Sequence, residues 1–148
     1  MDGVLVLDLP IEEAGAFQAI LAEEGLDMIF LLSPTTTDVR VARAAALGRG
    51  FLYVISRLGV TGARDSVAEG ARGLVARIRA HTSLPVALGF GLSRPEHVLQ
   101  AGAWADAAVV GSALVSVIEQ AAEGPDLEAR VERFVRAMKA AGRRPAGA

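Results

Sequence analysis

No cysteine occurs in the 148 residues, and there are only two histidines, His81 and His97. Disulfide frameworks, thiolate nucleophiles and cysteine-type zinc sites are therefore excluded, and a histidine-rich metal cluster cannot be assembled. A basic excess is missing too. The 15 Lys and Arg stand against 17 Asp and Glu, for a formal net charge of −2. General nucleic-acid binders carry a basic patch or stripe, so the balance argues against nucleic acid as a partner. Long apolar runs are absent as well. Although 52% of the residues are hydrophobic and mean hydropathy is +0.39, runs such as 28–32 are broken by Ser, Pro or Asp, well short of the roughly 18 residues a membrane span needs. The opening Met1-Asp2-Gly3-Val4 has neither the basic start nor the apolar stretch of a signal peptide. A cytoplasmic protein without a membrane partner is expected.

What the chain does have is an alternation of short apolar runs and longer striped segments. The runs are 4–7, 28–32, 51–55, 86–88 and 107–110. Short apolar runs without alternation fit strands buried on both faces, as in parallel sheets. The segments between them read as helices. Residues 10–24 place Glu12 and Glu13 near the start, favourable to the helix dipole, with Gly25 as the stop. Thr37-Asp38 offers an N-cap pair for the next helix, which stops at Gly48. Residues 67–80 carry the stripe Val67, Ala71, Leu74, Val75 and Ile78. Ser93-Arg94-Pro95-Glu96 reads as an N-cap, a first-turn proline and an acidic partner, in a helix ending at Gly102. A last helix, 127–140, is expected to bury Leu127, Val131, Phe134, Val135 and Met138.

The order is strand–helix repeated, with one extra C-terminal helix, which is α/β with a parallel sheet and right-handed crossovers. Residues 1–141 form one domain, and 142–148, rich in Gly, Pro, Ala and Arg, form a flexible tail. A doubly wound sheet and part of a (β/α)₈ barrel both fit this order. No Gly-x-Gly-x-x-Gly follows the first strand, so dinucleotide binding finds no support.

Three strand ends are rich in glycine: Thr61-Gly62, Gly89-Phe90-Gly91 and Gly111-Ser112. Glycine lets backbone N–H groups approach an anion, and a serine opening a helix sits at the positive end of its dipole. In (β/α)₈ enzymes the loops after the last two strands frequently build a phosphate site. The plainer reading makes these glycines turn residues and Ser112 an N-cap.

These segments resemble the tryptophan synthase alpha subunit family. Asp2-Gly3-Val4-Leu5-Val6-Leu7-Asp8-Leu9-Pro10 is similar to the fourth strand of its barrel. Ser56-Arg57-Leu58-Gly59-Val60-Thr61-Gly62-Ala63 resembles its mobile loop after strand six. Gly89-Phe90-Gly91-Leu92-Ser93 and Val110-Gly111-Ser112-Ala113 resemble its phosphate loops after strands seven and eight. The resemblance implies a partial TIM barrel holding strands four to eight. It also implies retro-aldol cleavage of indole-3-glycerol phosphate to indole and glyceraldehyde 3-phosphate.

Residue by residue, it implies phosphate binding by Gly62, Gly89, Phe90, Gly91, Gly111 and Ser112. Tyr53 would line the indole end of the pocket, and Phe51 stands where the family often has another aromatic. Arg57 would open the mobile loop, with Thr61 reaching a catalytic carboxylate on closure. The family's two catalytic carboxylates lie ahead of strand four, so the resemblance assigns no catalytic residue within these 148. It implies no cofactor on this chain, because pyridoxal phosphate belongs to the beta subunit, the partner in an alpha2-beta2 assembly. The alternative is a non-catalytic phosphate-binding half-barrel or interaction module.

The remaining polar residues have plainer readings. Asp8 faces the active-site mouth or the partner side, or else caps a helix. His81 and His97 read as surface residues, Trp104 as packing, and Arg143-Arg144 as a solvated tail.

Overall fold

The computed structural model describes residues 1–55, 69–89, 91–122 and 124–142. Five strands, β1 (Gly3–Leu5), β2 (Asp27–Leu32), β3 (Leu52–Ile55), β4 (Val86–Gly89) and β5 (Ala107–Ala108), alternate with α1 (Ala14–Glu23), α2 (Asp38–Leu47), α3 (Glu69–Arg79), α4 (Pro95–Gly102) and α5 (Ser112–Ala121). A further helix, α6 (Leu127–Ala141), follows. All pairings are parallel, and the strands lie in the order β1-β2-β3-β4-β5. This order decides between the two architectures. A doubly wound sheet reverses direction part-way, placing helices on both faces. A monotonic order with crossovers of one hand keeps every helix on the same face, as in a (β/α)₈ barrel.

The burial pattern corrects one expectation. Strands buried on both faces were expected; β4, buried at all four positions, meets this, but β2 and β3 alternate. Met28, Phe30, Leu32, Leu52 and Val54 are buried, while Ile29, Leu31, Tyr53 and Ile55 are only partly so. The buried set packs with Val86 and Leu88 of β4, Val41 and Ala44 of α2, Ala101 of α4, and the α3 stripe Ala71, Leu74, Val75 and Ile78. That is the helix side of the sheet. Register places Leu5 beside Ile29, and Leu31 beside Tyr53 beside Ala87, on the opposite face. The sequence is apolar on both faces because the inner face of a closed barrel is also a core. Among the described residues that second core is incomplete.

Boundaries shift at the sheet edges and at α1. β1 and β5 are shorter than the apolar runs 4–7 and 107–110. Each is an edge strand with a ladder on one side, although the Val109 N–H still reaches the Leu88 carbonyl at 2.8 Å. Residues 11–13 form a turn in which the Glu13 N–H reaches the Pro10 carbonyl at 3.0 Å, so α1 begins at Ala14. Glu12 therefore does not serve the helix dipole. It pairs with Arg40 at 3.1 Å and ties the segment before α1 to α2. Gly25, with φ of +68°, ends α1 as expected, in a left-handed conformation that glycine adopts without a Cβ penalty.

Other ties run across the sheet. Asp106, just ahead of β5, accepts the Val86 N–H at 2.7 Å and pairs with Arg79 of α3. It fastens α3 to the foot of β4. Arg77 donates to Asp38 at 2.7 Å and to the Thr36 carbonyl at 2.6 Å, joining α3 to the start of α2. Trp104 packs partly buried against the core and His81 is exposed, as expected. Within α6, Met138 is buried but Val135 is 44% exposed, against expectation. Val115 and Ile118 of α5 are exposed as well. These helices flank the β5 edge, where no further described strand–helix unit covers them. No described helix is long and apolar enough to cross a membrane.

Candidate functional site at the strand C-termini

Of the sequence-predicted residues within the described part, Asp8, Gly89, Gly91, Gly111 and Ser112 fall at or beyond the C-terminal ends of the strands, where barrel active sites form, and Tyr53 lies within β3; Phe51 precedes β3, at the opposite end of that strand. They do not all meet. Asp8 follows β1 at one edge, Tyr53 and Gly89 lie on the central strands, and Gly111 and Ser112 follow β5 at the other edge. Four inter-strand steps of about 4.8 Å each separate the two edges. Gly62, Phe90, Arg57 and Thr61 lie outside the described residues, as do 143–148 of the expected tail.

The central pair is the tightest feature. Ile55 pairs with Gly89 and Tyr53 with Ala87, so all four side-chain positions share the inner face. The Tyr53 ring lies across Gly89. A Cβ built at residue 89 would stand 2.3 Å from the Tyr53 hydroxyl oxygen and 2.6 Å from Cε2. Gly89 is thus a glycine because an aromatic ring occupies its side-chain space. Burial raises the Tyr53 phenol above its usual pKa, so it stays protonated and neutral. Leu31 and Leu5 extend the same face. Sequence reasoning had singled out Tyr53 without them, because the register that sets Leu31 beside Tyr53, and Leu5 beside Ile29, is a property of strand pairing.

This predicts a measurable coupling. Gly89→Ala should cost about 1–3 kcal/mol by overpacking. The same substitution in a Tyr53→Ala background should cost a few tenths, since the ring it collides with is gone. Denaturant melts of the double-mutant cycle measure the difference. A full cost persisting without the ring would show that Gly89 serves another contact.

The anion-type features gather at β4 and β5. Gly91 has φ of +83°, a left-handed turn immediately beyond β4. Gly111 is the N-cap of α5 and Ser112 its first residue, which corrects the reading of Ser112 as the cap. The first N–H groups of a helix have no partner within it and carry the positive end of its dipole. A Cβ at Gly111 would meet nothing within 4 Å, so open space lies over that helix start. Because β4 and β5 are neighbours, the Gly91 turn and the Gly111-Ser112 helix start follow adjacent parallel strands.

Asp8 is not a helix cap, because α1 begins at Ala14 with Glu13 as its N-cap. It lines a cavity of about 370 Å³ with Ser33, Thr36 and Arg40 beyond β1 and β2. The hydroxyls there are tied to one another, with Ser33 to Thr35 at 2.8 Å and the Ser33 N–H to Thr36 Oγ1 at 3.0 Å. Among the described residues, no group of three or more His, Asp or Glu side chains converges as a metal site requires.

Two expectations at α4 are corrected. Its N-cap is Arg94, not Ser93, with no side-chain cap bond. His97 is not a surface residue. It is 8% exposed, its Nδ1 accepts the Ser93 N–H at 3.2 Å, and its Nε2 lies 3.1 Å from the Arg94 guanidinium. Its place at i, i+1 before buried Val98, on the inward side of an amphipathic helix, was the available signal.

The sequence profile described as "Tryptophan synthase alpha chain" matches residues 1–143. The chain belongs to the tryptophan synthase alpha chain family. Its similarity to the tryptophan synthase alpha chain of Solibacter usitatus is 45% identity over 139 residues, covering 94% of this chain and 52% of the relative. To that of Geotalea uraniireducens it is 49% over 140 residues, covering 95% and 52%. Among solved structures, the tryptophan synthase a2b2 complex from the hyperthermophile Pyrococcus furiosus superposes with a TM-score of 0.84 at 36% identity, covering 95% of this chain and 56% of that one. The open form of tryptophan synthase from M. tuberculosis gives 0.81 at 30%, covering 97% and 51%. The chain spans about half the length of the curated relatives it matches. Its five parallel strands are accordingly part of the TIM barrel of the tryptophan synthase alpha chain family.

Proposed function

We propose that this chain supplies the phosphate-binding side, and part of the indole-binding wall, of a tryptophan synthase alpha chain barrel. In that barrel indole-3-glycerol phosphate is cleaved to indole and glyceraldehyde 3-phosphate. The observation that carries the reading is that the left-handed Gly91 turn and the Gly111-Ser112 helix start follow adjacent parallel strands. Backbone N–H groups of these two segments hold the phosphate without a bulky cation, and the dipole of α5 favours its charge. Tyr53 and Leu31, paired on adjacent strands, present an apolar wall on the inner face for the indole ring, and the neutral Tyr53 phenol adds no charge there.

The retro-aldol step needs a proton placed on indole C3, a proton relieved from the indole nitrogen and a glycerol hydroxyl deprotonated. The resemblance assigns this work to two carboxylates ahead of the strand that Asp2–Pro10 matches. The residues described here bind and orient, and they exclude water from the indole end. The reading implies a cytoplasmic setting and no cofactor on this chain. It also implies a beta chain partner that receives indole and carries pyridoxal phosphate. The similarity to an alpha chain solved within an a2b2 complex supports that partnership. A non-catalytic phosphate-binding half-barrel is the second reading, favoured by the incomplete inner core.

Hydrogen exchange read by mass spectrometry at submicromolar concentration tests the phosphate site. Glycerol 3-phosphate should slow exchange at the Gly91 turn and at Ser112 and Ala113. Gly111→Val should abolish that protection and lower the melting midpoint only modestly, through loss of a favourable N-cap residue, because its side chain enters open space rather than a packed neighbour. Protection spread evenly over the chain would refute the assignment.

A further inference from the structure

Three features follow one another across the sheet. The Gly91 turn and the Gly111-Ser112 helix start come after β4 and β5. The Tyr53–Leu31 pair lies on β3 and β2. The cavity of about 370 Å³ lies beyond β1 and β2. Leu31 belongs to both the wall and the cavity, because it pairs with Tyr53 and also lines the cavity with Ile55 and Leu7. A substrate with its phosphate at β4 and β5 and its indole ring on the Tyr53–Leu31 wall therefore points the far edge of the ring, its benzo carbons, toward that cavity.

The lining decides what the cavity takes. Leu7, Leu9, Leu31 and Ile55 give it apolar surface. Its hydroxyls are engaged with one another. The Ser33 N–H donates to Thr36 Oγ1 at 3.0 Å, and Ser33 Oγ lies 2.8 Å from Thr35 Oγ1 and 3.3 Å from Thr36 Oγ1. Arg40 is paired with Glu12 at 3.1 Å. A polar substituent entering here gives up water for partners already engaged, an exchange with no net gain. Asp8 brings a negative charge, which repels an anionic substituent. An apolar substituent gains by leaving water. Small-molecule pockets typically measure about 300–1,000 Å³, so the volume is ample for a ring edge and a group upon it.

We propose that this cavity is the specificity pocket for substituents on the benzo ring of the indole, that it takes small uncharged apolar groups such as methyl or chloro, and that Leu7 and Asp8 determine the choice. The inference rests on the indole reading above and deepens it. Leu7 is 75% exposed, so it is the part of the lining with the most apolar surface left to cover. Asp8 sets the sign of charge that is refused. Both act on what binds, and neither has a part in the cleavage itself.

Hydrogen exchange at submicromolar chain concentration, titrated with indole, with the four benzo-ring methylindoles and with the four benzo-ring indolecarboxylates, reads the pocket. Indole should slow exchange over 29–33 and 53–55, the strand ends that carry the wall. At least one methylindole should reach half-maximal protection at about fourfold lower concentration than indole, the worth of one buried methyl group. The carboxylate at the same ring position should need a higher concentration than indole. Leu7→Trp fills the cavity from an exposed position, so it should keep the protection by indole and lose the advantage of methyl. Asp8→Asn should bring the carboxylate close to indole. A carboxylate still refused in Asp8→Asn overturns the role of Asp8. If indole protects but no methylindole betters it, or if the advantage survives Leu7→Trp, the pocket is overturned and the wall stands. No protection by indole in the unsubstituted chain overturns the wall and the pocket together.

Discussion

Assayed by itself on indole-3-glycerol phosphate, the 148-residue chain should release no indole above the uncatalysed rate, with or without a beta chain added. General acid–base groups typically contribute about 10²–10⁴-fold each when positioned, and the reaction calls for more than one. The resemblance puts both carboxylates of the family ahead of the strand matched by Asp2–Pro10. The described carboxylates nearest the strand ends do not replace them. Glu12 is held by Arg40. Asp38 is held by Arg77. Asp8 is exposed at the β1 edge, on the far side of the sheet from the Gly91 turn. A carboxylate at one edge cannot serve opposite sides of a substrate whose phosphate sits at the other. Asp8→Asn should therefore leave the baseline where it was. Indole release at a rate near that of a full-length relative, lost in Asp8→Asn, would show that this edge carboxylate does the work.

The helix-side core was legible in the sequence because a helix writes its buried face at a fixed period. Val67, Ala71, Leu74, Val75 and Ile78 were named from spacing; Val67 lies outside the described residues, and the other four are buried. The strands were legible as strands and not as to which face would be covered. A run such as Met28-Ile29-Phe30-Leu31-Leu32 is apolar at every position, and only pairing tells which residues meet helices. The same gap hid Leu31 beside Tyr53.

The glycines of the site were visible as types and not as reasons. Gly91 is needed for its backbone conformation, Gly89 for the ring lying on it, and Gly111 stands under open space. Three identical letters carry three different constraints, separable only once neighbours are placed. His97 was misjudged for a related reason. A histidine near a helix start reads as solvated, but the loop before α4 folds its Ser93 amide back onto the ring, a contact no local pattern encodes.

The chain should self-associate at micromolar concentration, eluting in size-exclusion chromatography as dimers and larger species. Leu5, Ile29, Leu31, Tyr53 and Ile55 lie on the face away from the helix-side core and are only partly buried. Full burial of such a side chain contributes about 1.5–3 kcal/mol, so covering five half-buried ones removes much apolar surface from water. The edges add a second drive, because β1 and β5 each present one unpaired side among the described strands. Neither has a Lys, a Pro or a charge within the strand to blunt it. Leu7 beyond β1, 75% exposed, and Val109 beyond β5 lengthen those apolar edges. Leu31→Lys places a charge on the inner face without touching Phe30 or Leu32 in the helix-side core. It should shift elution toward the monomer while the helical signal in circular dichroism is retained. The part of a full-length relative that this chain does not match, added as a separate polypeptide, should convert the assemblies to a one-to-one complex by covering the same face. A monodisperse monomer of the unsubstituted chain, melting cooperatively and unaffected by Leu31→Lys, would mean that the inner face is already covered and that the barrel's second core is complete within these 148 residues.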